Sequence, residues 1–191
     1  MQPEVERELI LKCRSGGAQF YEPLVRAYEG SALRLAIGML GNADDARDAL
    51  QEAFVKAYTS IGKFDVKRPF GPWFFQILRN QCRDMIRSRQ ARGKLEVRDE
   101  RLELRPADFE DGPERGRQRR AASEMLWDGL ARIGDEHREI LVLKELQGFR
   151  YGEIAKMLDL PEGTVASRLY HARNALRGAL EEMGAKFQVE G

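Results

Sequence analysis

Two groups of side chains in this sequence recur at the spacing of helix turns. Asp45, Asp48 and Glu52, with Gln51 beside them, fall at steps of three and four, which puts the acids on one helix face. Carboxylates so arranged can meet a basic partner surface and speed encounter with it. They can also hold a metal, as in a nuclease that would add Asp44, or simply face water. No second acidic cluster or histidine answers the metal reading, and we expect no cofactor. The second group is Arg79, Arg83 and Arg87, one stripe suited to a nucleic-acid backbone. Aromatic residues precede it at Phe64, Phe70, Trp73, Phe74 and Phe75. Exposed bases stack on aromatic faces for roughly 1–3 kcal/mol each. The last four are also spaced as a helix core, and at least half of them are expected to be core.

A third group closes the chain, in "YGEIAKMLDLPEGTVASRLYHARNALR" from Tyr151 to Arg177. Ile154, Ala155 and Leu158 mark one short helix, Leu160 and Pro161 turn the corner, and Gly163 tolerates unusual backbone angles. Thr164 is the expected N-cap of a second helix whose buried stripe is Val165, Leu169, Ala172 and Leu176. Thr164, Ser167, Arg168, Tyr170, His171 and Arg173 are then its candidate contact residues. No acidic residue occurs from Gly163 to Arg177. A helix–turn–helix sets such a helix into the DNA major groove, where arginine grips guanine and serine bonds a base edge or phosphate. The competing reading is a three-helix packing motif with a basic wet face.

The elements that must carry these groups are helices throughout. The chain has 191 residues, 42% hydrophobic and 33% charged, room for one ordinary domain or two small ones. Its 32 basic residues against 31 acidic ones leave a net charge of +1, but the signs are segregated along the sequence, and segregation is what a charged partner senses. "EVERELILKCR" and "FYEPLVRAYEGSALRLAIGML" read as amphipathic helices, with Gly41-Asn42 as a stop and Asn42 or Asp44 as the next cap. In "DDARDALQEAFVKAYTSI" the residues Ala46, Leu50, Ala53, Phe54, Ala57 and Ile61 form one apolar face. "GKFDVKRPFGPW" must be a structured loop. Residues 95–120 hold few large apolar side chains and dense mixed charge, a composition that reads as a linker. Helical periodicity returns in "SEMLWDGLARI" and "DEHREILVLKELQGF". The fold class is all-α, two small helical domains joined by a flexible charged linker. Two cysteines, Cys13 and Cys82, without a CxxC argue for reduced thiols. No signal peptide and no apolar run near the roughly 20 residues of a bilayer span are apparent, so a cytoplasmic protein is expected.

"DDARDALQEAFVKAY", then "FDVKRPFGPWFFQILRNQCRDMIRSR", then "GFRYGEIAKMLDLPEGTVASRLYHARNALR" together resemble the extracytoplasmic-function (ECF) group of bacterial RNA polymerase sigma factors. The resemblance runs from about Ala18 to Arg177. It implies a non-enzymatic initiation factor with residues 1–94 as a region-two domain, 95–120 as linker and 121–191 as a region-four domain. By this resemblance Asp45, Asp48, Gln51 and Glu52 grip the clamp helices of the polymerase beta-prime subunit. Phe64, Asp65, Lys67, Arg68, Trp73 and Asn80, with Arg79, Arg83 and Arg87, read the melted minus-ten strand. The helix–turn–helix reads the minus-thirty-five duplex, beside the polymerase beta flap. An anti-sigma factor is a further implied partner, and insertion in a membrane is not implied.

The sequence departs from that pattern in places. Arg150 stands where a helix-capping serine is common, so that its helix start either frays or uses another cap, and Gly17 stands where an aspartate is common, with the same consequence. Ala166 and His171 occupy positions that are often basic. Among other classes, a stand-alone repressor would need a dimer element to read a two-fold site, and the sequence offers no heptads for one.

Overall fold

The computed structural model describes residues 1–91 and 113–185, with side chains described from 121 onward in the second range. These fall into two compact helical units. Among the described residues there is no strand.

The first unit is built from α1 (Pro3–Arg14), α2 (Glu22–Leu40), α3 (Ala43–Ser60) and α4 (Phe70–Ala91). Gly41, at φ +75°, ends α2 in the left-handed conformation that glycine adopts without strain, and its N–H bonds the Ile37 carbonyl at 2.8 Å. Asn42 starts α3: its Oδ1 accepts the Asp45 N–H at 2.8 Å. Ala46, Ala49, Ala53 and Ala57 are buried without a long side chain among them, so α3 can lie close against its neighbours. Phe54 reaches across and stacks on Phe74, ring centroids 4.5 Å apart. Leu24, Leu35, Leu40, Phe70, Phe74 and Leu78 complete the core with essentially no exposure. Tyr21 ties the start of α2 to α3 by donating its hydroxyl to the Phe54 carbonyl at 2.8 Å.

The second unit holds α5 (Pro113–Arg132), α6 (Asp135–Leu141), α7 (Tyr151–Leu158) and α8 (Glu162–Glu182). α6 runs on through one π-helical turn, Val142–Leu146. The helical backbone of α5 reaches back over 113–120, which the composition assigned to a linker; residues 95–112 lie outside the described residues. Its core joins Trp127, Leu130, Ile140, Leu143, Ile154, Val165 and Leu169. Gly129 lets α5 and α8 approach closely, since a Cβ there would lie 2.7 Å from Leu180 and 3.1 Å from Leu176.

Two charged side chains hold the turns of this unit, and only the first of them is buried. Arg138, 4% exposed, donates to the carbonyls of Leu130 (2.7 Å), Ala131 (3.2 Å) and Ile133 (2.8 Å). Those carbonyls belong to the end of α5, where the helix has no donors of its own left to offer. A cation there also suits the negative end of the helix dipole. α7 starts at Tyr151 with Arg150 as its cap residue, and the missing serine is replaced from the other side: Glu153 accepts the Arg150 N–H at 2.8 Å. That is one half of a capping box.

Candidate functional site

The acidic face of α3 is divided by the structure. Asp48, Gln51 and Glu52 are exposed. Asp45 is half-buried, receives the Asn42 side-chain amide and pairs with Arg89 of α4. Its carboxylate is thus occupied within the chain, as expected of an acid that is also the third residue of a capped helix. Val55, 53% exposed, sits on the same outward face one helical step beyond Asp48 and Glu52. Charge drew attention to the acids and passed over this apolar neighbour, although the repeat 48, 52, 55 carries it.

The expected Phe64–Trp73 loop is shorter than its glycines and prolines suggested, because α4 begins at Phe70 and takes Gly71 and Pro72 into its first turn. Phe64 is 4% exposed and packs against Phe70 and Trp73, at centroid distances of 5.7 and 4.8 Å. Its ring covers the core and anchors the start of the loop. Phe70, Phe74 and Phe75 are buried, and Trp73 is half-buried. Asp65 shapes the turn that follows. Its Oδ1 accepts the Lys67 N–H at 3.0 Å, its carbonyl accepts the Arg68 N–H at 2.9 Å, and its carboxylate lies 3.5 Å from the Arg68 guanidinium. Lys67 and Arg68 project into solvent, and so does Asn80 on α4.

The arginine stripe also needs correction. Arg79 is 7% exposed and donates to the Asn80 side chain at 3.0 Å, whereas Arg83 is half-buried and Arg87 exposed. Four residues overshoot one turn, so each step rotates the side chain by about 40°. Two steps carry the series from the core edge at Arg79 to open solvent at Arg87.

On α8 the buried stripe is Val165, Leu169 and Ala172, with Leu176 half-buried. The backbone at the corner differs from expectation. The helix begins at Glu162 with Pro161 in the cap position, so Thr164 is its third residue and not its N-cap. The left-handed residue is Asp159 at φ +54°, while Gly163 is ordinary helix. Pro161 cannot continue α7, and its fixed φ lets it serve as the extended residue before a helix. Ser167, Tyr170, His171 and Arg173 are exposed, Tyr170 at 64%, and Thr164 and Arg168 are half-buried. Asn174 and Arg177 share the exposed surface and were absent from the candidate residues.

Two arginines of α8 are paired with acids of α6 and its π-helical continuation. Arg168 lies 3.4 Å from the Glu136 carboxylate. Arg173 meets one oxygen of Glu145 through Nη2 at 2.7 Å and Nε at 3.1 Å. That bond holds the Arg173 guanidinium above its ordinary range.

Comparison with known proteins assigns these two helical units to a class, the sigma-70 type of transcription factor. Residues 24–92 match the family model of sigma-70 region 2, and residues 123–176 that of sigma-70 region 4. The chain is 30% identical to the ECF RNA polymerase sigma factor SigW of Bacillus subtilis, over 93% of this chain and 97% of that one. It is 32% identical to the RNA polymerase sigma factor CnrH of Cupriavidus metallidurans, over 95% and 97%. A solved structure of CnrH in complex with the cytosolic domain of CnrY superposes with a TM-score of 0.67 at 25% identity, covering 93% of this chain and 98% of that one. The chain belongs to the ECF group of the sigma-70 family. It directs promoter-specific transcription, and its relatives are regulators of transcription rather than enzymes. No helix among the described residues is long and apolar enough to cross a membrane.

Proposed function

We propose that this chain binds core RNA polymerase through α3, reads the minus-ten element as a melted strand through residues 64–69 and α4, and reads the minus-thirty-five element as duplex through α8. Asp48, Gln51 and Glu52, with Val55 among them, form the surface for the basic clamp helices of beta-prime. Lys67, Arg68, Asn80, Arg83 and Arg87 take the single strand, with the half-buried Trp73 as the available aromatic face. Phe64 and Arg79 support that surface from beneath. The C-terminal unit sits at the beta flap.

One observation carries the reading: the outward surface of α8 presents Ser167, Tyr170, His171 and Arg173 with no acid from Gly163 to Arg177. Such a surface is compatible with phosphates along its whole length. The pairs Arg168–Glu136 and Arg173–Glu145 do not oppose this, because ion pairs at a protein surface, with at least one partner open to water as here, are worth about 0–1 kcal/mol and can be exchanged for phosphate. CnrH is bound by the cytosolic domain of CnrY, and a protein inhibitor of that kind would compete here for the same acidic and basic faces. The site of action is the cytoplasm, with the polymerase.

The test is run-off transcription by purified bacterial core polymerase on a library randomised at both promoter elements, with and without this chain. Transcripts that require the chain, enriched for one sequence at each element, are the expected result. Failure to bind core at all, with a polymerase active on another sigma factor, would overturn the proposal and favour a stand-alone repressor.

A further inference from the structure

Glu6 is a buried acid, 9% exposed, that none of the proposed contacts uses. One of its carboxylate oxygens accepts the Tyr28 hydroxyl at 2.5 Å, and the other accepts the backbone N–H of Phe70 at 3.0 Å. Phe70 is the first residue of α4, so its N–H is one of those a helix leaves without an internal partner. A carboxylate suits that end of the dipole. Here the carboxylate comes from α1, and the bond therefore fixes where α4 starts against two other helices.

Tyr28 is itself held on every side. Its ring packs on Phe70, Phe74 and Phe75 at centroid distances of 5.4, 5.9 and 6.1 Å. A Cβ at Gly71 would lie 3.2 Å from the ring, so the first turn of α4 approaches it as closely as a residue without a side chain allows. The exposed Lys67 and Arg68 thus belong to a segment anchored at both ends. Phe64 holds the beginning in the core, and the Glu6–Phe70 bond holds the end.

We propose that Glu6 is a positioning residue for minus-ten recognition: it touches no DNA, and it sets the end of the 64–69 segment through the Phe70 N–H. The inference rests on reading that segment as the minus-ten reader. Pre-organised contacts discriminate better than contacts that must be ordered on binding. Removing the acceptor should therefore weaken base selection at minus-ten while leaving the rest of the protein competent.

The experiment repeats library-based run-off transcription with the full chain and core polymerase, comparing Glu6→Ala, Glu6→Gln and Tyr28→Phe with the parent. Enrichment at the minus-ten and minus-thirty-five positions is read from the same transcripts, so a lower fraction of active protein cancels. Glu6→Ala should lower minus-ten enrichment on the order of fivefold, the scale of a lost helix cap, and leave minus-thirty-five enrichment unchanged. Glu6→Gln, which keeps a carbonyl for the Phe70 N–H, should recover most of it. Should Glu6→Ala fail to fold, Tyr28→Phe carries the test, with an expected loss of about twofold from a less firmly held carboxylate. Equal loss at both elements, or none at minus-ten, overturns the inference. A Lys67→Ala/Arg68→Ala double variant separates the causes. If it flattens minus-ten enrichment while the Glu6 and Tyr28 variants do not, only the role of Glu6 falls. If it changes nothing, the reading of the 64–69 segment falls and takes this role with it.

Discussion

Replacing Arg138 by methionine should strongly destabilise the C-terminal unit while sparing the N-terminal one. Methionine keeps an unbranched apolar stem in the same space and removes every donor. Three carbonyls, those of Leu130, Ala131 and Ile133, then lose a charged partner at 2.7–3.2 Å. At about 1.5 kcal/mol for each of the two buried acceptors, the carbonyls of Leu130 and Ile133, the loss is about 3 kcal/mol. A unit of this size is stable by roughly 4–10 kcal/mol, so the change removes a third or more of the total. In a domain of this length that lowers the melting temperature on the order of 15 °C. The two tryptophans make the assay direct, because Trp73 lies in the first unit and Trp127, 7% exposed, in the second. With Trp73→Phe as background, urea titration followed by fluorescence reports the C-terminal unit alone. Arg138→Lys should fall between, since an ammonium keeps the charge but not the fork that reaches several carbonyls. A Trp127 transition displaced by less than about 0.5 kcal/mol in the methionine variant would refute the argument, because it would mean water serves those carbonyls as well as Arg138 does.

Other outcomes follow from the faces described. Arg168→Ala should lower minus-thirty-five discrimination about tenfold with core polymerase affinity unchanged in a pull-down titration; loss of both would show that the two surfaces are not separate. Asp48→Lys with Glu52→Lys should weaken core binding about tenfold, chiefly in the association rate and most at low salt, by stopped-flow. Burial holds the phenols of Tyr21 and Tyr28 above their ordinary range, with the Glu6 carboxylate adding to the effect at Tyr28. Below about pH 10 these phenols are neutral in both folded and unfolded chains, and their contribution is fully present. Above it the unfolded chain ionises first, so stability of the N-terminal unit should fall as pH rises. Part of the tyrosinate absorbance should then appear together with the Trp73 fluorescence change; tyrosinate complete before any unfolding would contradict this.

Periodicity made most of the helices legible, and it did so best where burial alone chooses the residue. The apolar faces of α3 and α8 could be read because alanine, leucine and valine recur at one angle on each helix. Polar residues buried by distant partners could not. Arg138 looks like an ordinary surface charge in sequence, and although Glu6 falls on the same helix face as Ile10 and Cys13, nothing local signals the Phe70 N–H or the end of α5 that these two side chains meet. Arg79 misled in the opposite direction: a step of four looks like one stripe, and only the rotation per turn shows that the stripe leaves the core as it advances. The burial of Phe64 could not be read from sequence, because an aromatic residue in a glycine- and proline-rich segment is equally able to anchor it or to project from it. The start of α5 was missed because dense charge around Pro113 says nothing of helix on its own. The exposed side of α8 was easier to read, because the absence of acids and the buried stripe constrain the same helix from opposite sides.

The bond from Glu6 to Phe70 also bears on how such proteins can be recombined. The segment matching sigma-70 region 2 begins at residue 24, beyond the end of α1 at Arg14. A chimera exchanging residues 24–92 between relatives would transplant Tyr28, Gly71 and Phe70 without the acid they close upon. Unless the recipient supplies a carboxylate at the corresponding turn of its first helix, the graft would carry a hydroxyl and an amide facing an apolar wall. Exchanges cut ahead of residue 3 would move the set as one heritable piece.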